Sequence, residues 1–115
     1  MAVVEHWWFH EAFLRFDAQE PWASAPWDED RDWDFTVAPH TPTEIIFSRY
    51  DAAIDRSREI LRGVESLDAL SVRDRDGEKW SMRWILVHMI EELARHAGHA
   101  DFLREAIDGQ TGDFD

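Results

Sequence analysis

Apolar and polar positions follow three different regimes along the chain. From Ala2 to about Phe16 apolar side chains point in nearly every direction around a helical wheel, the pattern of a helix buried on more than one side. No Ser, Thr, Asp or Asn precedes this helix to cap its first turn, so it reads as a helix entered partway along. A second helix is predicted from Pro42 to about Glu65. Thr41 stands as N-cap, Pro42 at the first helical position and Glu44 as the return partner of a capping box. Ile46, Phe47, Tyr50, Ala53, Ile54, Leu61 and Val64 then recur at three- and four-residue spacing. The third and longest helix runs from Ser81 to about Asp108 and stops at Gly109. On its wheel Ile85, Leu86, Met89, Leu93, Ala97, Ala100, Leu103 and Ile107 share an arc of roughly 120°.

Between these helices the pattern breaks. From about Ala18 to His40, Pro21, Pro26 and Pro39 interrupt helix, and the run from Asp28 to Asp34 is dense in acid. A loop this long is either functional or disordered, and Trp22, Trp27 and Trp33 argue that it packs on something. Ser66 to Lys79 forms the other connection, with a turn at Asp76-Gly77 and a faint strand signal at Leu70-Ser71-Val72. The expected fold is therefore all-α, with three main helices and a long tryptophan-rich acidic loop, in a single domain over residues 1–115. Trp84 and Phe102 form a second apolar face on the last helix, about 150° from the core arc, where packing against the loop or another subunit is expected.

Composition narrows the function. Seven Trp and seven Phe supply bulky core material. The absence of cysteine excludes disulfides, thiolate ligands and a cysteine nucleophile, so a metal here would have to use His and carboxylate. A net charge of -13, from 25 acidic against 12 basic residues, repels nucleic acid and an anionic membrane surface. No apolar run is long enough to span a bilayer, and the first residues lack the basic flank and cleavage site of a signal peptide. A cytoplasmic location is the resulting expectation.

The chemistry-bearing residues cluster on the last helix. Glu92 and His96 stand at i and i+4, a spacing that lets two ligands reach one metal ion from one helix face. His96 falls inside the apolar arc and Glu92 at its edge; His88 and His99 are rotated towards the flank and are the secondary candidates. Arg83 and Arg95 are weaker candidates for holding a substrate carboxylate. A single His on a helix is more often a hydrogen-bonded core residue than a ligand, but an ionised Glu facing a core must be paired or coordinate a cation.

The segment from Trp80 to Asp101, WSMRWILVHMIEELARHAGHAD, with its continuation Leu103 to Gly112, closely resembles the last-helix motif of an uncharacterised, largely actinobacterial branch of the DinB superfamily. Weaker similarity reaches back through the tryptophan-rich loop to Val4-Glu5-His6-Trp7-Trp8-Phe9. The resemblance implies an up-down four-helix bundle holding one divalent metal, Zn, Ni or Fe, by a His of the second helix and two ligands four residues apart on the last. Glu92 and His96 match those two. Relatives of this kind are mycothiol-dependent enzymes, so the resemblance implies a metal-dependent thiol transferase or isomerase using a low-molecular-weight thiol. Aligned on Val4-Glu5, the family's second-helix His would stand immediately before Met1, and the bundle's first helix has no counterpart in the sequence. His6 and His10 are rotated about 120° and 80° from that position, in opposite directions, and do not replace it.

Two functional readings result, with a metal-bound scaffold without turnover standing between them. One is the metal-dependent, mycothiol-type transferase or isomerase; the other is a non-catalytic, self-associating helical bundle with a degenerate metal site. Three helices, one of them apolar all round, are expected to need a partner to bury their stripes. A homodimer through the Met1–Phe16 helix, anchored by Trp7, Trp8, Phe9 and Phe13, is the expectation.

Overall fold

The computed structural model describes residues 1–112. Helix α1 (Ala2–His6) continues directly into a wider π-helical segment, Trp7–Phe13. A short helix α2 (Trp33–Val37) and a 3-10 turn (Ala38–His40) lie within the long loop. Helix α3 (Thr43–Arg62) follows, then strands β1 (Leu70–Arg75) and β2 (Glu78–Ser81), and finally helix α4 (Met82–Asp108).

The all-α, three-helix expectation is corrected here: the described chain has four helices and a two-stranded antiparallel sheet. The hairpin forms because Asp76 and Gly77 both take positive φ, 57° and 86°, the geometry of a type I′ turn whose twist matches its flanking strands. Pairing runs Arg75 to Glu78, Asp74 to Lys79 and Leu70 to Ser81, with a bulge between Leu70 and Asp74. Buried Ser71 repairs that bulge, its hydroxyl donating to the Arg73 carbonyl at 2.7 Å and accepting from the Trp80 N–H at 3.0 Å. The faint strand signal at Leu70-Ser71-Val72 thus marked half of an element whose other half, Glu78–Ser81, has too few apolar residues to alternate visibly.

Helix boundaries also shift. Thr41 does not cap α3; its hydroxyl donates back to the Val37 carbonyl at 2.9 Å, and the helix begins at Thr43. Ser81 does cap α4, accepting from the Trp84 N–H at 3.1 Å, and Gly109 closes it in the left-handed conformation. The hairpin packs against the π-helical segment, where Arg73 stands 3.8 Å from the Glu11 carboxylate.

The core joins Phe9 and Phe13 to Met82, Ile85 and Met89 of α4. Phe9 and Phe13 are thus spent inside the chain, and Trp7 and Trp8 are half-buried in an edge-to-face cluster with Trp80. The face expected to carry an interface is therefore largely covered. The second face of α4 divides: Trp84 packs on Trp8 and His88, while Phe102 is exposed. The bare apolar surface lies elsewhere. The α4 stripe is buried at Met82, Ile85 and Met89, yet the same stripe is 64% exposed at Leu103 and 82% exposed at Ile107. The second half of α4 overhangs the rest of the chain, which is reflected in a radius of gyration of 16.0 Å against about 13 Å for a compact chain of this length. Among the described residues no helix is long and apolar enough to cross a membrane.

Candidate functional site

An α-helix brings residues four apart onto one face, and α4 does this for Glu92 and His96. One Glu92 carboxylate oxygen lies 3.6 Å from His96 Nε2. The other accepts a hydrogen bond from Arg95 Nη1 at 3.2 Å and stands 3.8 Å from His88 Nε2. The Glu92 side chain is only 13% exposed and that of His96 34%, so the carboxylate is largely removed from water and meets its need for partners through neighbouring side chains.

The 3.6 Å gap suits a shared cation, because two donors each about 2.1 Å from a tetrahedral ion stand about 3.4 Å apart. Glu92 and His96 could occupy two corners of such an ion. Among the described residues no group of three or more His, Asp or Glu side chains is arranged to hold a metal. Further corners would have to come from water, from a ligand or from a second chain.

The secondary candidates divide. His88 is drawn into the aromatic cluster, with Trp84 stacked on its ring at 4.9 Å and Trp8 edge-on at 4.7 Å. His99 sets its ring edge-on to His96 at 5.5 Å. Arg95 belongs to the site through Glu92. Arg83 does not: it pairs with Asp68 at 3.3 Å, nine residues and about 13 Å of helix away from Glu92.

His96 also lines a cavity of about 400 Å³. Its wall is built by the first residues of α1, Trp22 of the loop, Trp33 and Phe35 of α2, and Ile46, Phe47 and Tyr50 of α3. A second cavity, about 540 Å³, lies across Trp22 and is bounded by Trp7, Trp8, Glu11 and Trp27. The long acidic loop therefore has a structural task. It lays Trp22 between two cavities, with Trp27 donating its ring N–H to the Trp22 carbonyl at 3.1 Å.

What holds Trp22 is a pair of imidazoles, neither of which takes the place of the family's second-helix His. His6 and His10 are both buried, their ring centroids 4.7 Å apart, and Trp22 stacks on His6 at 4.6 Å. The Gln19 N–H donates to His6 Nε2 at 3.2 Å, so neutral His6 carries its proton on Nδ1. His10 Nε2 donates to the Asp17 carbonyl at 3.1 Å and leaves Nδ1 buried without a partner. Burial pushes the His6 pKa down to about 4, with His10 and Arg56 adding to the effect, and lowers that of His10. Burial likewise raises the Glu11 carboxyl, 3.6 Å from His6. The i, i+4 spacing of two His in a helix apolar on all sides signals that both rings are buried together, but not which loop residues they hold.

A family model for mycothiol-S-transferase (MST) matches residues 1–109, and the chain belongs to that DinB-like family. The match points to a mycothiol-related transferase function. No curated protein and no solved structure matches the chain.

Proposed function

We propose that this member of the mycothiol-S-transferase family joins the thiol sulfur of mycothiol to an electrophile, at a site anchored by Glu92 and His96. The observation that carries the reading is the 3.6 Å juxtaposition of a shielded carboxylate and an imidazole beside a cavity. A divalent ion held by this pair would lower the pKa of a bound thiol and so present thiolate at neutral pH. Arg95 fixes the carboxylate by its hydrogen bond, and His96 lines the cavity, so a molecule there would meet its imidazole. The test is metal content and mycothiol conjugation in the purified protein and in Glu92→Ala and His96→Ala. Both variants should lose metal and turnover together; unchanged metal content in both rejects the site.

The second reading, a self-associating bundle without turnover, is favoured by one observation, the uncovered half of the α4 stripe. Self-association and catalysis are compatible, and the proposed assembly is a homodimer. Metal retention with no conjugation of any electrophile would leave the non-catalytic reading standing.

A further inference from the structure

The 400 Å³ cavity beside His96 has a composition that selects its occupant. Phe35 and Phe47 both line it, and both are exposed, at 67% and 62%. Two large aromatic side chains held open to solvent on one concave surface cost hydration free energy that an apolar occupant would recover. Trp22, whose ring also stacks on His6, and Trp33 add large apolar side chains to the same wall. Charge does not dominate the lining: Asp34 and Arg49 stand on it with opposite signs. Neither is ion-paired among the described residues. The volume lies at the small end of the range for small-molecule sites and is too small for a helix of a partner protein.

We propose that this cavity is the acceptor site, and that the acceptor is an uncharged electrophile carrying an aromatic body, its ring held between the Trp22–Trp33 wall and Phe35 and Phe47, its reactive carbon at the His96 end. This rests on the transferase reading of the preceding subsection and adds its substrate class. In the transfer, the thiolate sulfur forms a bond to the electrophilic carbon. The leaving group departs with the electron pair of its former bond, and the thiol proton passes to solvent. Trp22 and Trp33 bind the ring together with Phe35 and Phe47, and the occupied apolar wall keeps water from the electrophile.

Phe35 and Phe47 offer a clean test because their exposure lets them be replaced without opening the core. 2-Naphthol, an uncharged aromatic with no leaving group, is titrated into the protein and followed by the imidazole NMR signals of His96. The expected result is saturable binding that shifts His96, weakened about tenfold or more in the double variant Phe35→Ser, Phe47→Ser with an unchanged circular dichroism spectrum. Binding insensitive to that double variant, or binding that leaves His96 unmoved, overturns the proposal. Conjugation of mycothiol is then compared for 1-chloro-2,4-dinitrobenzene and iodoacetamide, which has no aromatic body. A preference for the chlorodinitrobenzene that the double variant abolishes supports the assignment, and equal use of both electrophiles overturns it. Naphthol binding as expected without conjugation of either reagent overturns the transferase reading and leaves the cavity an aromatic-binding site.

Discussion

The rings of His6 and His10 face each other 4.7 Å apart inside the protein, one accepting from the Gln19 N–H and the other donating to the Asp17 carbonyl. A buried imidazole of this kind is neutral in the fold but titrates freely in the unfolded chain. With His6 near 4 when folded and 6.5 when not, the unfolded state binds more protons between those values, so stability falls as pH drops through that window. The full shift amounts to roughly 3 kcal/mol. Glu5 and Glu11, raised by burial, act in the opposite sense near the acid end and offset part of the loss. Urea midpoints should fall from pH 7.5 to 5.0 in the parent and fall less in His6→Gln. Parallel declines in the two proteins would show that this imidazole is not the sensor.

Ser71 makes a second, local prediction. Its hydroxyl serves both the Trp80 N–H and the Arg73 carbonyl where the ladder is interrupted. Ser71→Ala leaves a sheltered N–H without its acceptor, a loss of roughly 1–3 kcal/mol. Chemical denaturation measures this directly, and a change below about 0.5 kcal/mol would mean that water replaces the hydroxyl.

His88 is expected to behave differently from His96. Trp84 stacks on it and Trp8 meets its edge, so its ring fills an aromatic cluster whatever charge it carries. His88→Phe should keep the metal content and conjugation rate of the parent, whereas His96→Ala should lose both. Loss of metal in His88→Phe would place this imidazole among the donors and force a rearrangement of the Trp84 stack.

Much of this was legible in the sequence wherever one rule governed a position. The start of α4 at Ser81, its stop at Gly109 and the buried first half of its stripe follow from local rules, whereas Leu103 and Ile107 of the same stripe are left exposed. The approach of Glu92 to His96 follows from helix geometry alone. What escaped depended on contacts that lie outside an element's own repeat. The β2 strand is defined by pairing with β1 across the Asp76-Gly77 turn rather than by its own pattern. Thr41 answers to Val37 instead of capping α3. The clasp of His6 and His10 on the loop needed the positions of Gln19, Asp17 and Trp22, which no periodicity encodes. The apolar character of the Met1–Phe16 segment is plain in the sequence, but its use is not: Phe9 and Phe13 pack on Met82, Ile85 and Met89.

The last prediction concerns assembly. The chain exposes 8558 Å², while a compact monomer of 13.6 kDa would expose about 6,600 Å². Part of the excess lies on the overhanging half of α4, where Leu93, Leu103 and Ile107 continue the buried stripe into solvent. From Leu93 to Ile107 this face is about 21 Å long. A second copy can cover it by antiparallel pairing of the two α4 helices about a two-fold axis, which makes each stripe the partner of the other. Burying about 800 Å² per chain, the size of an ordinary stable interface, is within what the excess allows. Each chain carries a net charge of -13, so association should tighten as salt screens the repulsion. Sedimentation at micromolar concentration should give a dimer that strengthens between 50 mM and 500 mM NaCl. Leu103→Glu with Ile107→Glu should return it to monomer with its helical content intact, since both residues are exposed within the chain. A parent protein that sediments as a monomer at every salt concentration would leave the stripe to a different partner and remove the dimer.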